Sequence, residues 1–393
     1  MSPRTFVVIG AFATQFMVIG SLFSLGLYVK VFEVEFGWSR TLFSAANSLA
    51  FLMMGLLAIV LGRLSDRFGP RRVLTVTGVL YGVGLVALSQ ISQPWHFFAI
   101  MGTFVAIGLG AHDVATLSTI AHWFDKKRGI MTAVVKVGTA SGQMALPLIA
   151  AALIVGVGWR ATLLYLGVAA GCGLFASALL MRNPHADEIA DTPHSQKTAG
   201  LDFAQARLTP TLRKLWIIQF LFFLTLMTVP MHLAAHGMDM GLTTTQAASL
   251  LSVVGAASVI GRLAVGALGD KIGVRNALSL CLVVLTLALA GLAIAATTPM
   301  LFAVTVLYGV SHGALFVVIS PTVAHYFGMK AHGQIFGTVL FFGTIGSAIG
   351  PISAGATYDN LGSYMFAFIA MALLAVVALG ITRSLPKSSV SPR

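Results

Sequence analysis

Charged residues are scarce in this sequence. Asp, Glu, Lys and Arg together make up 9% of it, where soluble domains carry about 25%. So little charge excludes an ordinary water-facing globular domain. Acidic residues are the scarcer sign, 12 against 24 Lys and Arg. Only two cysteines occur, Cys172 and Cys281, both in apolar segments, so no disulfide framework is indicated. No G-x-x-x-x-G-K-[ST] loop is present, which argues against ATP as a direct energy source. Ten-residue stretches of alternating polarity, the mark of a membrane β-barrel, are absent too.

What fills the chain instead is apolar sequence, 57% of residues at a mean hydropathy of +0.92. Runs long enough to cross about 30 Å of hydrocarbon as helices recur throughout. Twelve are counted, near 5–30, 41–62, 73–92, 97–123, 130–157, 161–182, 215–237, 244–267, 277–297, 300–326, 335–357 and 363–382. The fold class is therefore an all-α membrane protein of twelve transmembrane helices. The first run continues past the length of a signal-peptide core without a cleavage site, so it reads as the first span.

The net charge of +12 could point to nucleic acid, but its placement does not. Nineteen of the Lys and Arg lie at the termini and in the connections after even-numbered spans. Lys30, Arg40 and Arg160 lie on the other side, and Lys136 and Arg262 fall inside spans. This asymmetry is the positive-inside rule, and it places both termini in the cytoplasm. The partner is then a lipid bilayer and not nucleic acid. The small-residue, Pro and Gly usage suits a bacterial inner membrane.

One polar stretch, 182–214, divides six spans from six. The expected organisation is a six-helix bundle over 1–182, a cytoplasmic linker over 183–214, and a second bundle with a short cytoplasmic tail over 215–393. The halves are alike. GRLSDRFGPRRVL (62–74) matches GALGDKIGVRNAL (266–278), GAHDVATLSTIAHWF (110–124) matches GALFVVISPTVAHYF (313–327), and VGTASG (137–142) echoes FGTIGS (342–347). A parallel repeat of six spans is a transporter architecture.

The doubled G-x-L-x-D-R-x-G-x-[RK]-x-x-L loop resembles that of the major facilitator superfamily, with Pro70 as a minor departure. The resemblance implies two pseudo-symmetric six-helix bundles and alternating access. It also implies that Asp66, Arg67, Arg71, Asp270 and Arg275 form a cytoplasmic gate, in addition to their topogenic charge. FGWSRT after span 1, GWRA after span 5 and an arginine in span 8 resemble more narrowly the monocarboxylate-porter and oxalate–formate-exchanger branches.

Arg262 lies eight residues before Asp270, roughly 12 Å along a helix, and so near the middle of the bilayer. A charge at that depth faces the protein interior and has a partner. Guanidinium binds a carboxylate through two parallel hydrogen bonds. The reading is a site for a small organic anion; a structural pair with Asp113 or with helix carbonyls is the alternative. Lys136 has similar depth on span 5 and either joins the site or snorkels. In the superfamily spans 5 and 8 face each other, which favours a shared cavity. Asp113, beside His112, is the only acid well inside a span. Isolated there, it could carry a proton; paired with Lys136 or Arg262, it would be structural. The related porters often place an acid where this chain has Ser258, so proton coupling moves to Asp113 and His112. Tyr28, Asn47, Gln143 and His312 complete the candidate substrate contacts, with a satisfied structural hydrogen bond as the alternative for His312. Gln219 and Thr344 are further polar residues in spans. His232 and His236 form an HxxxH without a third ligand; no metal or other cofactor is implied, and both are expected to line an outer vestibule.

The function expected is monomeric secondary transport of monocarboxylates of the lactate or pyruvate type by proton symport. Exchange of oxalate-type dicarboxylates is the alternative. Drug efflux, a transporter-like receptor and a membrane enzyme have weaker support.

Overall fold

A backbone surrounded by lipid must satisfy its own hydrogen bonds, so apolar runs of this length fold as helices. The computed structural model describes residues 2–124, 128–184, 188, 200–328 and 330–387, without the side chains of 128–130 and 266–270. Twelve helices among the described residues are long and apolar enough to span: Pro3–Phe36, Arg40–Phe68, Pro70–Leu88, Pro94–Trp123, Met131–Val157, Trp159–Leu179, Pro210–Asp239, Thr244–Val265, Val274–Ile294, Thr298–Phe327, His332–Leu361 and Met365–Arg383. They are spans 1 to 12 below.

The helices outrun their apolar cores. Span 1 continues to Phe36 through a 3-10 turn at Leu25–Leu27, and Tyr28 opens the helix beyond it. Span 4 contains a π-helical turn at Met101–Val105. Span 7 begins at Pro210, inside the stretch read as linker. Much of that linker, 185–187 and 189–199, lies outside the described residues. Its end is structured: Asp202 and Gln205 form a reciprocal capping box on the short helix Phe203–Ala206, and the Leu201 amide donates to the Phe327 carbonyl at 2.9 Å.

The matched loops end spans 2 and 8 alike. Gly69 has φ 83° and Gly273 φ 80°, a left-handed region that costs glycine little and other residues more. Pro70 then sits at the first helical position of span 3, where its missing N–H is no loss. The family-like departure at 70 is thus a helix-starting residue.

The chain packs as two compact units, residues 1–193 with 233–255, and residues 194–232 with 256–393. In the first, span 1 lies along span 5, span 3 along span 6 and span 2 along span 4. The segment 233–255 is held to it by Ser252, whose hydroxyl donates to the Met144 carbonyl at 2.6 Å. In the second, span 9 packs against spans 10 and 12.

Candidate functional site

In the first unit, three spans converge on one carboxylate. Asp113 on span 4 accepts from Lys136 Nζ of span 5 at 2.5 Å and from Gln15 Nε2 of span 1 at 2.7 Å, both at Oδ1. Gln15 Nε2 also donates to Thr116 at 3.1 Å, and its Oε1 accepts from Thr139 at 2.9 Å. His112 Nε2 lies 3.5 Å from the same carboxylate oxygen, and its Nδ1 is 2.6 Å from the Leu109 carbonyl. Of the two readings that the sequence left open for Asp113, isolated or paired with a span cation, the structure shows the pair with Lys136. Lys136 does not snorkel away; it pairs with Asp113. The Asp113 side chain remains 44% exposed, so the pair is open on one side. Charge-assisted bonds of this kind are short and strong, but an open carboxylate can still exchange its partner.

Three other candidates in this unit are buried polar groups with unmet atoms among the described residues. Tyr28 has an unpartnered hydroxyl, Asn47 an unpartnered Oδ1 and Gln143 an unpartnered Oε1. All three are buried. Asn47 Nδ2 donates to the Phe43 carbonyl at 3.0 Å. Most buried polar groups are hydrogen-bonded, so each such atom needs an explanation.

The second unit holds Arg262 on span 8 and His312 on span 10. Glycines let these helices meet backbone to backbone: a Cβ at Gly261 would strike the Val310 carbonyl, and one at Gly313 the Ser258 carbonyl. Arg262 follows Gly261 and His312 precedes Gly313, so each is next to one of these two contacts. His312 is fully buried, with the Phe316 ring 5.1 Å away, edge to face, and the Tyr308 ring at 5.7 Å. Arg262 itself is partly buried.

Asp66, Arg67 and Arg71 are exposed at the turn between spans 2 and 3. The Arg67 guanidinium lies 5.1 Å over the Phe68 ring. Arg275 donates to the Leu385 carbonyl at 3.1 Å. The Asp270 side chain lies outside the described residues. His232 is not a vestibule residue: it is fully buried, 2.8 Å from the Tyr364 hydroxyl and 3.1 Å from the Pro351 carbonyl. The carbonyl can only accept, so Nε2 carries the proton and Nδ1 accepts from the tyrosine.

Sequence reasoning missed a second charge cluster. Arg40, counted from the sequence only as a cation on the side opposite the termini, is 1% exposed. Its guanidinium donates to both Asp239 oxygens, at 2.6 and 2.9 Å, and its Nε to Glu33 at 3.0 Å. Lys30 reaches Asp239 at 3.0 Å. All four residues belong to the first unit. The available signal was the matching of scarce charges: Glu33, Glu35 and Asp239 sit at the same ends of the spans as Lys30, Arg40 and Arg160.

A sequence profile of the Major Facilitator Superfamily matches residues 11–299 and 215–392. The chain belongs to the major facilitator superfamily. It is a multi-pass membrane transporter of that family. Among its relatives are the MFS transporter asaE of Aspergillus flavus, 28% identical over 96% of this chain and 85% of the relative, and monocarboxylate transporter 13 of Bos taurus, 27% identical over 97% and 88%. YhjX of Escherichia coli, described as an uncharacterized MFS-type transporter, is 24% identical over 88% and 86%. The fold matches a bacterial homologue of the human lysosomal transporter Spinster in its inward-facing, unoccupied conformation, with a TM-score of 0.82, 14% identity and full coverage of both chains. It also matches the nucleoside transporter NupG, with a TM-score of 0.74 and 17% identity over 99% of this chain and all of that one.

Proposed function

We propose that this transporter carries small organic monocarboxylates of the lactate or pyruvate type together with a proton, by alternating access. The carrying observation is the Asp113–Lys136 pair, open on one side, in a chain whose other intramembrane cation, Arg262, is on a helix packed backbone to backbone against the helix of buried His312. Arg262 anchors the carboxylate of the substrate. Tyr28, Asn47, Gln143 and His312 supply neutral polar contacts. Asp113, next to His112, carries the proton. An anion that draws Lys136 away leaves Asp113 without its ammonium, and loss of a neighbouring positive charge favours the protonated form of a carboxylate. That exchange ties proton uptake to anion binding. Asp66, Arg67, Arg71, Asp270 and Arg275 act at the cytoplasmic gate. Both termini are cytoplasmic, the membrane is a bacterial inner membrane, and the protein works as a monomer with 1–182 and 215–393 as its two bundles. The likeness to monocarboxylate transporter 13 supports the substrate class.

The dicarboxylate reading fits less well. It asks for two cations with charge to spare, and the charge of Lys136 is already matched by Asp113.

The test is uptake of radiolabelled L-lactate into proteoliposomes under an inward proton gradient. Gradient-driven uptake, abolished by a protonophore and missing in Arg262→Ala, is the expected result. Uptake driven by preloaded oxalate and indifferent to the gradient would replace symport by exchange. No movement of either acid would remove the substrate class.

A further inference from the structure

The two glutamines in spans 1 and 7 occupy matching places in the repeat. The carbonyl of Phe16 lies against Gly142, and the carbonyl of Phe220 lies against Gly346. Gln15 and Gln219 immediately precede those two phenylalanines. This packing makes Gly346 the repeat counterpart of Gly142, one residue away from the register of the VGTASG and FGTIGS match.

Their surroundings differ. Gln15 has both amide atoms satisfied, by Asp113, Thr116 and Thr139. In the second unit Asp113 is replaced by Phe316 and Thr116 by Ile319 in the repeat alignment, and the packing register puts Gly343 where Thr139 stands. A Cβ at Gly343 would lie 3.0 Å from Gln219 Nε2, so the amide faces bare backbone. Gln219 is 1% exposed, and neither its Nε2 nor its Oε1 has a partner among the described residues. A leucine or methionine would fill the same volume without burying an unmet donor and acceptor.

The same wall continues towards the anion anchor. A Cβ at Gly343 would also stand 3.1 Å from the Phe223 ring. Phe223 meets Phe316 edge to face at 5.5 Å, Phe316 meets His312 at 5.1 Å, and the backbone beside His312 meets that of span 8, the helix of Arg262. All of these residues belong to the second unit. An amide, an aromatic surface and a guanidinium together suit a small acid with a second, uncharged polar group.

We propose that Gln219 is a specificity-determining substrate contact, whose amide binds a hydroxyl or carbonyl oxygen carried by the transported acid in addition to its carboxylate. This rests on the monocarboxylate reading above. A transporter that alternates access uncovers its site in part of the cycle, so burial of Gln219 in one state is compatible with contact in another. A site built to pair with a hydroxyl discriminates against the analogue that lacks it, because the buried amide is then left unmet.

The experiment compares wild type with Gln219→Leu and Gln219→Met, for uptake of L-lactate and of propionate, which differs by the hydroxyl. Melting of the purified proteins without substrate is measured alongside. Wild type should favour lactate. Both variants should lose about tenfold in apparent lactate affinity, the range of one hydrogen bond, keep their propionate uptake, and melt at or above the wild-type temperature. If both variants melt lower and lose the two acids equally, Gln219 is structural and the proposal is overturned. If the lactate preference persists unchanged in the variants, the proposal is likewise overturned while the monocarboxylate reading stands. If wild type carries neither acid, it is that reading which fails, and the proposal fails with it.

Discussion

At the scale of single residues, the decisive quantity is charge held away from water. Arg40 is buried and bonded to two carboxylates, whereas the Arg160 side chain is 43% exposed and meets Glu35 at 3.1 Å. Removing one partner of a buried ion pair costs about 3–5 kcal/mol, because the other charge is left uncompensated; an exposed pair is worth about 0–1 kcal/mol. Arg40→Ala is therefore expected to lower the melting temperature of the purified protein well below that of Arg160→Ala. Equal shifts would show that the Arg40 cluster contributes no more than a surface pair. A second expectation concerns Asp113. Asp113→Asn leaves Lys136 without its carboxylate and should both destabilise the protein and uncouple uptake from the proton gradient. Adding Lys136→Gln should restore melting while uptake stays uncoupled; a double variant as unstable as the single one would refute the pairing. The existence of Asp113, Lys136 and Arg262 as special positions was legible in the sequence, because charge is so scarce in the spans. Their partners were not, since pairing depends on how each helix is turned about its axis. The burial of Arg40 was missed for a related reason: three residues beyond a glycine turn, nothing in the sequence says whether the chain folds over a cation.

At the scale of elements, helix existence followed from bilayer thickness and was readable throughout, while departures from regularity were not. The 3-10 turn at Leu25–Leu27 and the π turn at Met101–Val105 leave the apolar pattern intact, so hydropathy cannot register them. Glycine content announced close packing in general without saying which helices meet. The structure assigns Gly261 and Gly313 to the contact of spans 8 and 10, with backbone carbonyls where side chains would be. Gly337, in contrast, has nothing within 4 Å of a built Cβ and no left-handed backbone. Gly313→Val is thus expected to abolish uptake and sharply reduce the yield of folded protein. Gly337→Ala should be neutral or stabilising by about 0.5–1 kcal/mol, the helix preference of alanine over glycine. The comparison is read by fluorescence-detected gel filtration followed by melting. A folded, active Gly313→Val would mean that spans 8 and 10 can separate at no cost, and the placement of Arg262 beside His312 would lose its structural basis.

At the scale of the whole molecule, the bilayer does what a core does in a soluble protein: it fixes helix number from length and orientation from charge. That is why twelve spans and their order were fully legible, whereas unit membership was less so. Residues 233–255 pack with the first unit although they follow the linker, an outcome settled by contacts such as Ser252 with Met144 that no composition shift announces. Orientation rests on nineteen Lys and Arg at the termini and even-numbered connections against three at the odd-numbered ones, an imbalance that acts during insertion. The prediction is direct. In a background with Cys172→Ser and Cys281→Ser, Arg72→Cys places a single thiol at the start of span 3 and Trp95→Cys one at the start of span 4, on opposite sides of the membrane in this orientation. Trp95 is 67% exposed and Arg72 is exposed, so both sites are open to reagent. In spheroplasts a membrane-impermeant maleimide should label Trp95→Cys and spare Arg72→Cys, and inverted vesicles should reverse the pattern. Labelling of Arg72→Cys from outside would turn the molecule over, place its basic connections across the membrane, and move Asp66, Arg67 and Arg71, proposed above for the cytoplasmic gate, to the outer face. The proposed direction of proton-driven anion uptake would then have to be reversed with them.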